Sequence, residues 1–254
     1  MNLELHVIPI LGTRNPSDLT PDDLDDLTEL LREKGLNNKS IVYVHATFRK
    51  ALNYAMRRRQ LQMNVYDLYD LPRVECFYYP IMDDDLFAHM LDLADGEAPL
   101  SLAIRLALRY GLRRGEVLGL RRSDLSGNVL HIQRTRTVEG RADSVTPCKT
   151  RSSNRYILLM PEDATAIAAV KGDYVVSLTP TQLNKGFLTF LRRGGFPAMR
   201  FHDLRHNYAT YMYRHGVDVK TISTVLGHSS VKITMDIYAH PDLQVQNACL
   251  QALP

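Results

Sequence analysis

The hydrophobic positions of the first 60 residues recur at helical spacing in two stretches. The first stretch has the apolar face Leu24, Leu27, Leu30 and Leu31. Thr20 precedes it and Gly35 follows it, as expected of a capping residue and a terminating glycine. The second stretch begins at Ser40 and has the apolar face Val44, Phe48, Ala51, Leu52 and Ala55. The spacing therefore predicts two amphipathic helices.

The helical periodicity stops between Pro72 and Pro80, and a new pattern begins after it. We therefore expect a first, helical domain over residues 1–76, a linker over residues 77–80 and a second domain over residues 81–254. The chain has 254 residues, which is enough for two domains of these sizes.

The second domain is predicted to be mainly α-helical with one small antiparallel β-sheet. Helical patterns cover residues 83–94, 99–111, 162–170, 181–193, 202–215, 219–226 and 231–239. Three short segments with β-forming residues lie between them, at 129–132, 144–146 and 155–158, and turn residues separate them. The predicted fold class is therefore α+β, with the sheet confined to the second domain.

Composition narrows the class of protein without identifying it. Hydrophobic residues make up 45% and charged residues 23%, which is typical of a globular chain. The three cysteines are odd in number and far apart, which argues against a disulfide framework. No apolar run reaches the ~18 residues of a membrane span, and the first twelve residues do not resemble a signal peptide. We expect a cytoplasmic protein. Its net charge of +3 is compatible with an anionic partner but does not establish one.

Four short motifs place polar or charged groups where a plain helix or strand does not need them. They are GLRRGE at 111–116, PCKT at 147–150, FHDLRHNYAT at 201–210 and LGHSS at 226–230, the last followed by Tyr238. Each motif alone has an ordinary explanation. Arg113 could form a surface ion pair, Lys149 could be solvated, and Tyr238 could be a half-buried tyrosine on a helix.

The third motif also contains a possible metal pair. His202 and His206 have the i, i+4 spacing of zinc ligands on a helix. However, Asp203 stands where a zinc protease has a glutamate base, and Arg205 between the two histidines would repel a cation. We therefore favour a phosphate ligand for this motif and expect neither a metal ion nor a cofactor.

Taken in this order, the four motifs resemble those of the tyrosine recombinase family, the integrases of phages and conjugative elements. The resemblance covers nearly the whole chain. Residues 19–71 are similar to the family's helical core-binding domain, and residues 81–254 to its catalytic domain. Residues 6–12 look like the end of the core-binding domain's first helix. We therefore expect a naturally short or N-terminally truncated member, without arm-site binding.

The resemblance implies a clamp for the scissile phosphate of DNA. Arg113 and Arg205 would bind the non-bridging oxygens, because a guanidinium fork matches phosphate geometry. His228 would donate a further hydrogen bond to these oxygens, and Glu116 would orient Arg113.

The same resemblance assigns the covalent step and the proton transfers. Tyr238 would attack the phosphate to form a 3′-phosphotyrosyl bond and release a 5′-hydroxyl. His202 is suited to accept the tyrosine proton, and Lys149 is suited to protonate the departing 5′-oxygen. The bond energy is conserved in the phosphotyrosine, so rejoining needs no ATP.

The implied partner is double-stranded DNA, held as a homotetramer on two synapsed sites with exchange of C-terminal tails. An accessory DNA-bending protein or an excisionase could also take part. Five basic residues are candidate contacts to the DNA backbone, although a solvated helix face is the alternative: Arg49, Lys50, Arg57, Arg58 and Arg59. Alternative functions are a chromosome-dimer resolvase, a type IB topoisomerase and a catalytically inactive DNA-binding protein of the same fold.

Overall fold

The computed structural model describes residues 2–74, 79–96, 98–139, 142–147 and 151–235. The chain divides into two compact units, Met1–Tyr78 and Tyr79–Pro254. Among the described residues, no helix combines the length and the apolar character that crossing a membrane requires.

The first unit is helical. A π-helical turn, Leu3–Val7, leads into α1 (Ile8–Leu11), and α2 (Pro21–Glu33) and α3 (Asn38–Arg57) follow. Thr20 caps α2, and its hydroxyl accepts the backbone N–H of Asp23, as the sequence predicts. The predicted start of α3 at Ser40 is wrong by two residues, because Asn37 is the cap and accepts the N–H of Ser40 (2.9 Å).

The core of the first unit contains a buried polar group among its apolar side chains. His45 on α3 is fully buried. Its Nε2 lies 2.9 Å from the hydroxyl of Thr28, and its Nδ1 lies 2.7 Å from the hydroxyl of Tyr66. Burial lowers the pKa of His45 to about 4, so the imidazole is neutral at physiological pH.

The second unit is also mainly helical. Its described helices are α4 (Asp84–Leu93), α5 (Pro99–Tyr110), α6 (Arg114–Gly119), α7 (Pro161–Ala168), α8 (Pro180–Arg193), α9 (Asp203–Arg214), α10 (Val219–Leu226) and α11 (Val231–Met235). The arginine motif at 111–116 lies at the junction of α5 and α6, and no apolar periodicity in the sequence delimits the six-residue α6. The last predicted helix extends to residue 239, and its residues 236–239 lie outside the described part.

The strands of the described residues form two small antiparallel sheets. β1 (Leu125–Ser126), β2 (Val129–Ile132) and β5 (Arg155–Leu158) form one sheet in the order β1-β2-β5. β3 (Arg134–Glu139) and β4 (Ala142–Pro147) form a separate hairpin. The mainly helical fold with a small antiparallel element is confirmed, but the prediction of a single sheet is wrong. The sequence RTRTVE of β3 has no apolar alternation that would reveal it.

Helix α5 lies at the centre of the second unit and sets the position of the site. Its residues Leu102–Leu108 are buried on every face, and α5 packs against α4, α6, α8 and α9. The charged residue within this stretch, Arg105, is paired with the buried Asp163 (2.7 Å), so the whole stretch can lie in the core. α5 ends at Gly111, and the arginine motif therefore starts from a fixed point in the core.

Candidate catalytic site

The end of α5 brings the arginine motif against the end of α10. Gly111 has φ +64, and a Cβ on it would collide with the side chains of Leu226 and Tyr208. Glycine is therefore required both by the left-handed backbone and by the close packing. Arg113 follows in an extended conformation as the N-cap of α6. Its guanidinium approaches the last residues of α10, with Nη2 donating to the carbonyl of Gly227 (3.3 Å).

Glu116 is the buried centre of an arginine cluster. It accepts the backbone N–H of Arg113 (2.9 Å) and the Arg113 Nη1 (2.8 Å). Arg155 donates to both of its carboxylate oxygens at 3.1 Å, and Nη1 of Arg205 lies 4.0 Å away. Burial alone would raise the pKa of Glu116, but the hydrogen bonds and charges of Arg155 and Arg113 lower it. The carboxylate is therefore ionised at neutral pH.

Arg205 is almost completely buried on α9. Its Nη1 donates to the carbonyl of Gly111 and its Nη2 to the carbonyl of Leu226, each at 2.6 Å. Burial, with repulsion from Arg113, lowers the pKa of Arg205 to about 9. The guanidinium still carries its charge at neutral pH, and its two carbonyl partners fix its direction between α5 and α10.

His228 follows the C-terminal cap of α10. Gly227 has φ +66, and a Cβ on it would lie 2.7 Å from the carbonyl oxygen of Ser152. The Nδ1 of His228 lies 2.7 Å from the hydroxyl of the buried Thr234. Burial, Arg205 and Arg113 lower the pKa of His228 to about 3, so the ring is neutral. If Nδ1 accepts from Thr234, the ring proton is on Nε2 and can be donated to an anion.

His202 is the N-cap residue of α9. Burial of the ring and the positive charge of Arg205 lower the pKa of His202, so the neutral form predominates at physiological pH. Its ring packs edge-on against the ring of His206 at 5.1 Å between centroids. A neutral imidazole is the form that a general base requires.

Arg113 and His202 line the same cleft, which has a volume of about 570 Å³. One wall is formed by Thr135 and Thr137 of the β3–β4 hairpin, and another by α8. Arg113 and His202 therefore lie on one opening, and Arg205 and His228 meet Arg113 at the C-terminal end of α10. This set can bind a phosphate, stabilise added negative charge on its oxygens and accept a proton.

The sequence interpretation missed one member of the cluster. Arg155 lies at the start of β5, where residues alternate between buried and exposed. It occupies a buried position, and its Nε donates to the carbonyl of Val225 (2.6 Å) in addition to its bonds with Glu116. The sequence signal that could have identified it is an arginine at an inward-facing position of a strand. A charge at such a position needs a buried partner, which points to a carboxylate nearby.

The structure brings together most of the predicted site. Arg113, Glu116, Arg205 and His228 form one cluster, and His202 shares the cleft with Arg113. Lys149 and Tyr238, the predicted proton donor and nucleophile, lie outside the described residues. Their roles stay predictions.

The five candidate DNA contacts are in the first unit, on α3 or directly after it, and all are exposed. Two of them have neighbours within that unit. Arg49 lies 3.4 Å from Asp67, and Arg58 lies over the ring of Tyr54 at 6.0 Å. Exposure fits both a DNA contact and a solvated face, so the assignment stays a prediction.

The metal alternative for His202 and His206 lacks a further ligand in the described part of the chain. No group of three or more histidine, cysteine, aspartate or glutamate side chains there could hold an ion. Asp203, the nearest carboxylate in sequence, accepts the backbone N–H of Arg200 (2.7 Å) and its Nη2 (2.8 Å). A cation at the histidines would also be repelled by Arg205.

We therefore expect the DNA cleavage that the sequence resemblance implies to be insensitive to metal removal. EDTA should leave the rate unchanged, because the arginines supply the positive charge that a metal would otherwise provide. The measurement is cleavage of a labelled duplex before and after dialysis against EDTA. A loss of cleavage that zinc or magnesium restores would contradict this expectation.

Comparison with known proteins identifies the sequences and folds to which this chain is similar. A sequence model of the phage integrase family matches residues 82–244. The ICEBs1 integrase of Bacillus subtilis is 26% identical over 251 residues, which cover 87% of this chain and 67% of that integrase. The tyrosine recombinase XerC of Alcanivorax borkumensis is 26% identical, covering 92% of this chain and 80% of the relative.

A shorter match is the XerC-like tyrosine recombinase of Caldanaerobacter subterraneus. It is 28% identical over 171 residues, and the match spans 53% of this chain and 44% of the relative's length.

Solved structures share the fold. The Tn1549 transposon integrase in complex with a circular intermediate DNA has a TM-score of 0.78, with 19% identity, 97% coverage of this chain and 91% of that chain. A lambda integrase dimer bound to a COC′ core site has a TM-score of 0.63, with 16% identity, 89% coverage of this chain and 67% of that chain.

Proposed function

This chain belongs to the phage integrase family of tyrosine-type site-specific recombinases, and we propose that it cleaves and rejoins DNA as the integrase of a mobile element. The observation that carries the proposal is the convergence of Arg113, Arg205 and His228 from three separate motifs, with His202 on the same cleft as Arg113. These groups are the electrostatic machinery that phosphoryl transfer without a metal requires.

In the first step, the phenolic oxygen of Tyr238 attacks the scissile phosphorus, and the bond from phosphorus to the 5′-oxygen breaks. His202 accepts the phenolic proton, and Lys149 gives a proton to the 5′-oxygen. The additional charge on the non-bridging oxygens is stabilised by Arg113, Arg205 and a hydrogen bond from Nε2 of His228. Attack by a 5′-hydroxyl of a second strand reverses the step and completes the exchange.

The buried carboxylate of Glu116 supports this mechanism by holding the clamp before DNA binds. Its bonds hold the guanidiniums of Arg113, which is partly exposed, and of Arg155, which is buried. A preorganised charge of this kind needs no rearrangement during the reaction and therefore stabilises the transition state more than a flexible one.

A strand-exchange assay tests the proposed function and separates it from its alternatives. The substrates are two duplexes that carry the DNA sequences flanking the gene, one of them labelled. An integrase is expected to give exchanged products without ATP. Relaxation of supercoils without exchange would favour a topoisomerase, and binding without any covalent adduct would favour an inactive DNA-binding protein.

The role of Lys149 can be tested with a substrate whose bridging 5′-oxygen is replaced by sulfur. A thiolate leaves without a general acid, because its conjugate thiol has a pKa of only ~8.5. Lys149→Ala is therefore expected to be slow on ordinary DNA and near wild type on the sulfur-bridged substrate. The measurement is single-turnover cleavage of both substrates.

Arg113→Ala and Arg205→Ala are the matched controls for this assay. They should be slow on both substrates, because they stabilise charge on oxygens that the substitution leaves unchanged. If Lys149→Ala is equally slow on both, Lys149 is only a DNA contact, and the proton comes from elsewhere.

The proposed assembly is a homotetramer on two synapsed DNA duplexes, in which the C-terminal tail of each protomer binds its neighbour. An accessory DNA-bending protein or an excisionase could also take part. The tail is rich in apolar residues: Leu243, Val245, Ala248, Leu250 and Leu253. An apolar groove of about 640 Å³ between α4, α9 and β5 supports this proposal. At this groove, Tyr156 and Leu158 are 70% and 72% exposed, so the second unit offers an apolar surface for such a tail.

Deletion of residues 242–254 is expected to weaken the pairing of two DNA sites more than the binding of one site. The tail would stabilise contacts between protomers, which a single bound site does not need. Gel-shift titrations on one-site DNA and on paired sites measure the two effects. Equal losses in both, together with a lower melting temperature, would instead place the tail on its own protomer.

A further inference from the structure

The C-terminal end of α10 presents three consecutive backbone carbonyls to three arginines that come from different elements. The acceptors and donors are Val225 with Nε of Arg155 (2.6 Å), Leu226 with Nη2 of Arg205 (2.6 Å) and Gly227 with Nη2 of Arg113 (3.3 Å). The last carbonyls of a helix have no partner within the helix and carry partial negative charge, so they favour cations. The end of α10 therefore holds the arginines of the site by their side chains.

Arg155 differs from the other two arginines because it also binds both oxygens of a carboxylate. Its Nη1 and Nη2 each lie 3.1 Å from an oxygen of Glu116, while its Nε holds the carbonyl of Val225. A planar guanidinium has donors on more than one edge and can join two fixed acceptors in this way. Only 8% of the side chain is exposed. Arg155 therefore links the end of α10 to α6 through one rigid, buried group.

The same side chain supports the backbone directly before His228. A Cβ on Gly227 would lie 3.1 Å from both Cδ and Nη1 of Arg155, so the chain passes close over this arginine. Gly227 caps α10 with φ +66 and turns the chain towards His228. A displacement of Arg155 would therefore move the carbonyl that binds Arg113 and the histidine that follows it.

The three arginines repel one another, so their spacing depends on fixed partners. Burial, followed by repulsion from Arg113 and from Arg155, lowers the pKa of Arg205 to about 9. The arginines share the carboxylate of Glu116, which lies 2.8 Å from Arg113, 3.1 Å from Arg155 and 4.0 Å from Arg205. The carbonyls of α10 add to this stabilisation only while the end of α10 stays beside the carboxylate.

We propose that Arg155 is a positioning residue for DNA cleavage: it fixes the end of α10 against Glu116 and so sets the geometry of the phosphate clamp. The clamp consists of Arg113, Arg205 and His228, and the inference rests on its proposed function. Arg155 acts through the groups that it places, not by touching the phosphate. The effect can be large, because a misplacement of ~1 Å in an active site can cost about 100-fold in rate.

The main test is the substitution Arg155→Lys. Lysine keeps a positive charge beside Glu116, so the buried carboxylate is not left without a cation, but one ammonium cannot span the carboxylate and the end of α10. Single-turnover cleavage of ordinary DNA should fall by about 100-fold. Arg155→Gln, which keeps one amide donor without the charge, should show the same loss, so the test does not depend on a single variant.

A second substrate separates a misplaced clamp from a general loss of structure. In this duplex, a methyl group replaces one non-bridging oxygen of the scissile phosphate, and the resulting methylphosphonate is neutral. Its cleavage needs less stabilisation of negative charge. Arg155→Lys and Arg113→Ala should therefore cleave it at close to the wild-type rate, whereas a general structural defect would slow both substrates equally.

Arg105→Lys is the matched control. Arg105 is as buried as Arg155 and also joins a carboxylate to the end of a helix, with Nε 2.7 Å from Asp163 and Nη1 2.7 Å from the carbonyl of Ala94. Its link connects α5 with α7 and with the cap of α4. The melting temperature should fall as it does in Arg155→Lys, but cleavage of ordinary DNA should stay at the wild-type rate.

The outcomes separate the inference from the proposed function. If Arg113→Ala is not slowed on ordinary DNA, or stays as slow on the methylphosphonate, the proposed phosphate clamp is rejected and the inference with it. If Arg113→Ala behaves as expected, three results overturn the inference alone. They are normal cleavage of ordinary DNA by Arg155→Lys, equal losses of this variant on both substrates, and a loss no greater than that of Arg105→Lys.

Discussion

Replacement of Tyr238 by phenylalanine is expected to abolish the covalent adduct between protein and DNA. The substitution removes one oxygen atom, which is the proposed nucleophile, and phenylalanine has no group that can attack phosphorus. The arginine cluster is built from other residues, so folding and DNA affinity should stay at wild-type levels. The measurement is adduct formation on a nicked duplex that traps the intermediate, read on a denaturing gel.

Tyr156→Phe is the matched control for this experiment. Its hydroxyl is also lost, but Tyr156 lies on the exposed face of β5, where its ring stacks on His131 at 4.3 Å. Phenylalanine can keep that stacking, and adduct formation should be unchanged. An adduct of normal yield from Tyr238→Phe would remove Tyr238 from the mechanism.

Glu116→Ala is expected to lower the free energy of unfolding by about 3–5 kcal/mol, the cost of removing one partner of a buried ion pair. Arg155 and Arg205 would remain almost completely buried without their carboxylate. Cleavage should also fall, because Arg113 loses the carboxylate that orients it. Urea unfolding measures the first effect and single-turnover cleavage the second.

Glu162→Ala is the control for the loss of a carboxylate in the same unit. Glu162 pairs with Arg109 at the surface, and its side chain is 54% exposed, so we expect a change below about 1 kcal/mol. A comparably small effect of Glu116→Ala would show that the cluster does not depend on this carboxylate.

The contribution of Glu116 to stability should also depend on pH. Its pKa in the folded protein is lowered from the ordinary value of 4.5. The stabilisation is therefore fully present above about pH 4.5 and is lost as the pH falls through the lowered pKa. The difference in unfolding free energy between wild type and Glu116→Gln should shrink over that acidic range.

The helices could be predicted because their signals are local. The spacing of apolar residues and a cap such as Thr20 specify α2, and the leucines of α5 mark it as a core helix. The hairpin could not be predicted in the same way. β3 consists mostly of arginine and threonine, and its position depends on glycines of α6 that are distant in sequence.

The site could be predicted in part, because some of its residues also carry local signals. Arg113, Arg205 and His228 belong to compact motifs at helix ends, so their residue types and spacing are visible in the sequence. Arg155 could not be assigned, because its partner Glu116 is 39 residues away and only the fold brings them together. The sequence resemblance implied only that Glu116 orients Arg113. In the structure, Glu116 accepts hydrogen bonds from both Arg113 and Arg155.

The most direct test of the account is to identify the atom that links the protein to DNA. The wild-type protein is trapped on a nicked duplex, digested with protease and nuclease, and the modified peptide is sequenced by mass spectrometry. We predict a 3′-phosphate joined to the phenolic oxygen of Tyr238, with a free 5′-hydroxyl on the released strand. A link to another residue, a link to a 5′-phosphate, or no covalent link at all would contradict the account.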